Sequence, residues 1–510
     1  MEVGLSSPVV TTFAVIAGVI WWCWRVLNWL WLRPKRLERC LREQGLKGNS
    51  YRLLHGDTDE HKMMVKLATS GPINLSDDIC LRVVPFYYHL IEKFGKNSFT
   101  WVGPEPRLNI MEPELIKEIL LKMNTFKKPI PNPLARLLIS GVPFYDGEKW
   151  EKHRKIINPA FHMEKLKNML PAMHLSCSEM MNKWEMLVPE NSCRELDVHP
   201  DIETLTADVI SRTAFGSSYE EGRRIFQLQK EQGLLTRQVV QSVYIPGWRF
   251  LPTKINKRMK GINKELLAVM MEIIKKREKS MQIGEVGEDD DLLGMLLKSK
   301  NDYGMSFEDV MEECKAFYLA GQESTSNLLA WTLVLLSIHP EWQVRARKEV
   351  LQIFGNSKPG FEGLNHLKIV TMILNEVMRL YPPGVIMLRT IHEATKLGKM
   401  TIPPGVQFVV PIILIHHDPE LWGEDAKEFK PERFSEGIAK ATRGKLSYFP
   451  FSWGPRICVG NNFALLEAKL ALSMILQRFS FELSPSYAHA PTFIITLRPQ
   501  HGVHLTLRRA

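Results

Sequence analysis

No two of the 32 glycines stand one residue apart, and no G-x-x-x-x-G-K-[ST] run occurs. Neither a dinucleotide fingerprint nor a Walker-type phosphate loop is therefore present, so any redox chemistry must draw its electrons from another protein. Cysteine is scarce. The seven residues at 23, 40, 80, 177, 193, 314 and 458 form no C-x-x-C pair. That excludes a zinc ribbon and a disulfide framework, suits a reducing compartment, and leaves at least one thiol free. Repeats, low-complexity tracts and long linkers are missing too. The sharpest shift in composition, the acidic run 285–291, reads as a surface loop between helices. With 45% hydrophobic and 24% charged residues the composition excludes a disordered or collagen-like chain. At 510 residues the chain can bury a large core.

The charge balance is 66 basic against 56 acidic residues, a net +10, which calls for an acidic counterpart: nucleic acid, anionic lipid or protein. The first forty residues bear on the choice. From Val9 to Leu32 the only charge is Arg25 and the only amide Asn28. As helix that segment reaches ~36 Å, enough to cross ~30 Å of hydrocarbon with tilt. Glu2 precedes the run and Arg33, Lys35, Arg36 and Arg39 follow it. A cleaved signal peptide or a buried core helix is the alternative reading. This polarity is wrong for a secretory signal, however, and the positive-inside rule puts the N-terminus of an anchor in the lumen and the rest in the cytosol. Tryptophans 21, 22, 24, 29 and 31 crowd the cytosolic end, so the span can end near Trp24 with Val26 to Leu32 in the interface.

Beyond the anchor, helical periodicity dominates: Met163 to Leu187, Asp201 to Ala214, Ile255 to Lys279, Ser306 to Ile338, Glu341 to Phe354 and His366 to Tyr381. Strand-like runs are short and late, at Gln407 to Val410, Phe493 to Leu497 and Val503 to Leu507. The fold class is mainly α with a minor β part (α+β).

Four constellations carry chemistry. In Phe451-Ser-Trp-Gly454-Pro-Arg456-Ile-Cys458-Val-Gly460 a cysteine precedes a helical pattern, Asn461 to Phe479. The helix N-terminus favours its thiolate, Gly454 and Gly460 leave room for a flat ligand, and Arg456 adds positive charge. Glu376 and Arg379 fall at i and i+3 on the apolar face of Ile369, Ile373 and Leu380. A buried pair costs several kcal/mol in desolvation unless further hydrogen bonds complete it, so a third partner is expected elsewhere. Ala320-Gly-Gln-Glu323-Ser324-Thr325 interrupts an apolar helix. It reads as a kink, or as an acid and hydroxyl that deliver protons into a dry cavity; the uncharged run after it is too short for a membrane span. Trp150 and Arg154 share a helix face at i, i+4 and can clamp an anionic edge, though a charged helix start is commonly solvated surface.

Together these motifs, in order along the whole chain, resemble the cytochrome P-450 family of haem-thiolate monooxygenases. The resemblance implies that Cys458 is the axial ligand of the iron of haem b, in a loop shaped by Phe451, Gly454 and Gly460. Trp150, Arg154, Arg389 and Arg456 match positions that hold the haem propionates. Glu323, Ser324 and Thr325 match the oxygen-activation segment, with Glu323 the acid and Ser324 the alcohol. Glu376, Arg379 and Arg433, in Pro431-Glu-Arg-Phe434, match a buried structural triad. Ser324 departs from the family's usual threonine and lacks the methyl that limits its rotamers, so coupling of oxygen use to product is expected to be looser. The hinge after the anchor is poor in proline, with only Pro34.

Asn158-Pro-Ala-Phe161, Gly321 to Thr325, Leu374 to Pro383 and the tail Ser484 to Pro491 are similar to the plant microsomal group that includes secologanin synthase and triterpenoid oxidases. The resemblance implies an anchor at 1–33, a catalytic domain at 34–510, and location in the endoplasmic reticulum membrane. Its partners would be O2, NADPH–cytochrome reductase docked near Lys149, Lys152 and Lys155, and a hydrophobic small molecule, with no nucleic acid. Expected substrate-facing segments are Lys127 to Gly141, Ala316 to Thr325, Pro383 to Leu388 and Pro491 to Thr496. A haem-thiolate isomerase or dehydratase working without reductase, and a non-catalytic haem-binding membrane protein, are the competing readings.

Overall fold

The computed structural model describes residues 7–283, 291–302 and 304–510; of the acidic run read as a surface loop, residues 285–290 lie outside them. The architecture is mainly helical with small sheets, as the periodicity predicts. At its centre runs one helix, Phe307–Ile338, started by a capping box in which Ser306 and Asp309 bond each other's backbone N–H groups. Its apolar residues point in nearly every direction, so it can be stable only as the axis of the core. The helix runs unbroken through Gly321. A Cβ there would lie 2.6 Å from Cγ1 of Ile210, so the glycine lets the helix His199–Phe215 press against the axis.

Met163–Leu187 and Gln407–Val410 form with the expected bounds. The remaining expected helices differ only at their ends, except that the periodic run from His366 splits: Phe361–His366 ends, and Lys368–Leu380 starts after the extended Leu367. The expected strand Phe493 to Leu497 is instead a hairpin of Pro491–Phe493 and Leu497–Pro499, with the apolar residues Ile494 and Ile495 in its turn. Apolar turn residues defeat the pattern because they pack against a neighbouring helix: a Cβ on Gly233 would stand 2.9 Å from Cδ1 of Ile495.

A five-stranded sheet runs Lys47–Gly48, Ser98–Val102, Glu105–Asn109, Gln407–Val410, Met387–Thr390. Its antiparallel edge pairs Arg389 with Phe408, and Phe408 packs edge-on against Phe126 at 5.3 Å. Lys127 and Thr390 exchange backbone hydrogen bonds of 2.8 and 2.9 Å, which brings the loop after Phe126 onto that edge.

Among the described residues one helix is long and apolar enough to cross a membrane, and its apolar window is wholly unburied. It runs as Ser7–Leu27, a π-helical turn Asn28–Leu32, and Arg33–Glu43. Pro34 therefore makes no hinge. It sits in the first turn after the π-turn, where a missing N–H costs little. Tyr51 donates to the Leu30 carbonyl at 2.7 Å and fastens the turn to the body.

Candidate active site: a cysteine beside a cluster of cations

The helix Asn461–Arg478 begins just after Cys458. The Cys458 N–H donates to the Phe451 carbonyl at 2.9 Å, closing the loop on itself. Gly454 has φ +76°, and a Cβ there would meet the Leu120 carbonyl at 3.1 Å. It is therefore fixed by protein packing, not by room for a ligand; a Cβ at Gly460 would meet nothing within 4 Å. The Cys458 side chain keeps accessible surface, yet the surrounding protein desolvates its thiol. The thiol thus faces an interior space. Burial pushes it up, opposed by the Gly460 N–H and the Arg154 charge.

The helix Gly147–Ile157 and the Lys127–Thr390 contact bring cations to the same region. Arg456 lies over the Trp150 ring at 4.6 Å, donates to the Tyr145 carbonyl at 2.9 Å, and bonds Asp146. Burial lowers Arg154 despite the Cys458 thiol beside it, and lowers Arg389 to about 10, helped by Arg456. Arg389 makes one described side-chain hydrogen bond, to the neighbouring Leu388 carbonyl. Lys128 behaves like Cys458: it keeps accessible surface while enclosed by protein, and burial plus Arg389 and Arg456 push it well down.

Of these four cationic side chains only Arg456 forms an ion pair among the described residues, with Asp146, whose charge also bears on Lys128 and Arg389. Unpaired buried charge is costly, so the cluster is built for an anionic ligand. A planar group bearing two carboxylates fits both the charge deficit and the thiol. Sequence reasoning missed Lys128 and Asp146; Phe126-Lys-Lys-Pro129, a double lysine in an apolar loop, was the available signal.

On the central helix, Ala320, Gly321 and Ser324 are the accessible positions in an otherwise buried stretch from 316 to 336. Ser324 Oγ donates back to the Ala320 carbonyl at 2.7 Å. Thr325, 100° further round the helix, is buried and turned toward Glu467, and so is separated from the open strip. Glu323 accepts from Thr496 Oγ1 at 3.1 Å and lies 3.8 Å from Arg498. Arg498 bonds Glu203 at 3.0 Å, and Lys230 bonds the same carboxylate at 2.9 Å. This chain of charges lines a cleft of about 230 Å³ open to solvent. Burial pushes Glu323 up, with Arg498 opposing.

Glu376 and Arg379 are both fully buried. Arg379 Nε and Nη2 each donate to Glu376 at 2.7 Å. Its remaining N–H groups reach the carbonyls of His416, Ala426 and Glu428, so all five donors are used. Arg433 Nε stands 3.3 Å from Glu376 Oε1, and the Lys430 N–H donates there at 2.8 Å. Lys149 is not free for docking. It pairs with Asp309 at 2.6 Å and lies 4.1 Å over the Tyr145 ring.

A profile for the family Cytochrome P-450 matches residues 83–505. The chain is 59% identical to the cytochrome P-450 CYP72A219 of Panax ginseng over 99% of both chains. It is 53% identical to the 7-deoxyloganic acid hydroxylase of Catharanthus roseus over the full length of both. It is 51% identical to secologanin synthase 2 of Catharanthus roseus over all of this chain and 98% of that one. Family members bind haem through a cysteine thiolate and are oxidoreductases, which is what the enclosed thiol and the cation cluster accommodate. A desolvated cysteine, a cluster of cations short of acidic partners and a match over most of the sequence agree: the chain belongs to the cytochrome P-450 family and is a haem-thiolate monooxygenase.

Proposed function

We propose that residues 1–33 anchor the chain in the endoplasmic reticulum membrane with the N-terminus lumenal. Residues 34–510 then form a cytosolic catalytic body that takes electrons from NADPH–cytochrome reductase. Its substrate is a bulky apolar plant metabolite, a terpenoid, triterpenoid or sterol skeleton. The observation that carries the reading is the desolvated Cys458 thiol with Arg154 beside it, linked through Arg456 to Arg389 and Lys128. In this group of cations Arg456 alone has a described ion pair, with Asp146. The names of the relatives as a 7-deoxyloganic acid hydroxylase and a secologanin synthase support the substrate class. Lys152 and Lys155, both exposed, offer an acidic reductase a docking face.

Cys458 would hold the iron and the four cations the propionates. When bound, the haem supplies oxygen activation, for which a thiolate ligand favours O–O cleavage. The chain supplies the rest. The open strip at Ala320 and Ser324 would face the bound group, with Ser324 Oγ held by its 2.7 Å bond to the Ala320 carbonyl. Glu323 exchanges protons with the solvent cleft past Arg498 and Glu203, and its raised affinity lets it carry a proton nearer to neutral pH. The accessible Ser324 hydroxyl passes protons inward, while buried neighbours exclude bulk water.

Three outcomes follow. Lys128→Met leaves the cations less able to hold a dianionic group, and haem retained after dialysis against apomyoglobin falls about 10-fold or more; unchanged retention removes Lys128 from the site. Glu323→Gln slows product formation on the order of 100-fold and enlarges the solvent isotope effect, as expected for loss of a proton donor. Ser324→Thr raises product formed per NADPH consumed; an unchanged ratio means the missing methyl is immaterial. The reading as a whole is tested with microsomes, reductase, NADPH and a terpenoid panel. NADPH-dependent oxygenated product supports it, and haem-loaded protein with no such product rejects it.

A further inference from the structure

Away from the haem site, Asp78, Cys80 and His417 converge so that one ligand atom of each lies within 4.8 Å of the others. We propose that these three side chains form a structural zinc site. The geometry prepares each donor. His417 Nε2 stands 2.8 Å from the Leu380 carbonyl and donates to it, which leaves the lone pair on Nδ1. That Nδ1 is buried and has no hydrogen-bond partner. Asp78 divides its carboxylate: Oδ1 accepts from the Cys80 N–H at 2.9 Å, while Oδ2 pairs with the Lys427 ammonium at 2.7 Å, and the Cys80 thiol also bonds this carboxylate. Cys80 is 1% exposed and unpaired with any other cysteine.

A nitrogen, a thiol and a carboxylate suit zinc, with bonds of about 2.0–2.3 Å that need ligand separations of roughly 3.3–3.8 Å. Side-chain adjustment of about 1 Å closes the present spacing to those values. Binding releases the Cys80 thiol proton to solvent and frees Lys427, whose side chain is half-exposed and can swing outward. Thiolate and carboxylate then balance the two positive charges, His417 adds a neutral donor, and a water takes the fourth position. No net charge stays buried, as in the zinc-free site, where Lys427 balances Asp78 and the thiol is neutral. The bound ion would tie the segment 78–80 to the strip beside His416, whose carbonyl receives Arg379.

The test uses full-length, haem-loaded protein without a histidine tag, stripped of loosely held metal and given zinc sulfate. Wild type is expected to hold one zinc per chain more than Cys80→Ser or His417→Gln. Zinc should raise its thermal midpoint, followed by the haem spectrum, and a chelator should reverse the rise, with neither variant responding. Equal zinc content in wild type and variants overturns the proposal. Should a variant fail to take up haem, wild type decides alone: one equivalent of cobalt(II) must add a thiolate-to-cobalt charge-transfer band in the difference spectrum, and its absence likewise overturns the site.

Discussion

Replacing Cys458 by serine is expected to cut product formation on the order of a thousandfold or more, equivalent to about 4 kcal/mol of barrier. The loss follows from position. The Cys458 thiol opens on an enclosed space, its backbone is pinned by Phe451, and the Gly460 N–H and Arg154 are the groups that support its negative charge. A serine hydroxyl cannot act as a thiolate, while the cations at Lys128, Arg154, Arg389 and Arg456, proposed to hold the two carboxylates, are untouched. Some haem should therefore remain in the variant, but the thiolate-specific band of its reduced, carbon monoxide-bound form should vanish. Product at the wild-type rate would assign the iron to another ligand.

Glu376→Leu is expected to lose about 3–5 kcal/mol of stability, because it strands Arg379 fully buried without its carboxylate. That is a large part of a total stability of about 5–15 kcal/mol, so most of the chain should fail to incorporate haem. Three carbonyls still accept from Arg379, but they cannot neutralise it. Arg433→Ala removes only a 3.3 Å contact to Glu376 and bonds to Asp425 and Trp422, from a side chain 11% exposed. It should cost about 1–3 kcal/mol and still yield folded protein. Haem content per chain and chemical denaturation midpoints rank the two; equal losses would mean that Arg433 and Glu376 carry the same share of the network.

Why some features were legible in sequence and others not has physical causes. Long helices with one apolar stripe, such as Met163–Leu187, announce themselves through spacing. The desolvation cost of an inward Glu376–Arg379 pair demands further partners before any fold is known. By contrast, the hairpin at 491–499 carries apolar residues in its turn because they pack on Gly233, a relation between distant segments that periodicity cannot carry. Gly321 suggested a kink, whereas its reason lies on another helix, at Ile210. Lys128 sits in a loop of no regular pattern and gains meaning only from Arg389 and Arg456 beside it. Thr325 follows Ser324 in sequence but faces Glu467, because consecutive helical residues point 100° apart. Cys80, one of six cysteines to which the sequence assigns no role, acquires neighbours only in three dimensions.

The net charge of +10 gains a narrower meaning as well. Part of it is the cluster around Arg389 that the proposed haem site uses, and the proposed lipid and reductase contacts draw on the exposed part.

Turnover under oxygen-18 gas tests the assignment most directly. With reductase and NADPH, a terpenoid hydroxylated by the wild-type protein should carry one heavy oxygen atom from O2, and Cys458→Ser should give none. A product formed without NADPH, or carrying oxygen from water alone, would contradict a monooxygenase built on Cys458.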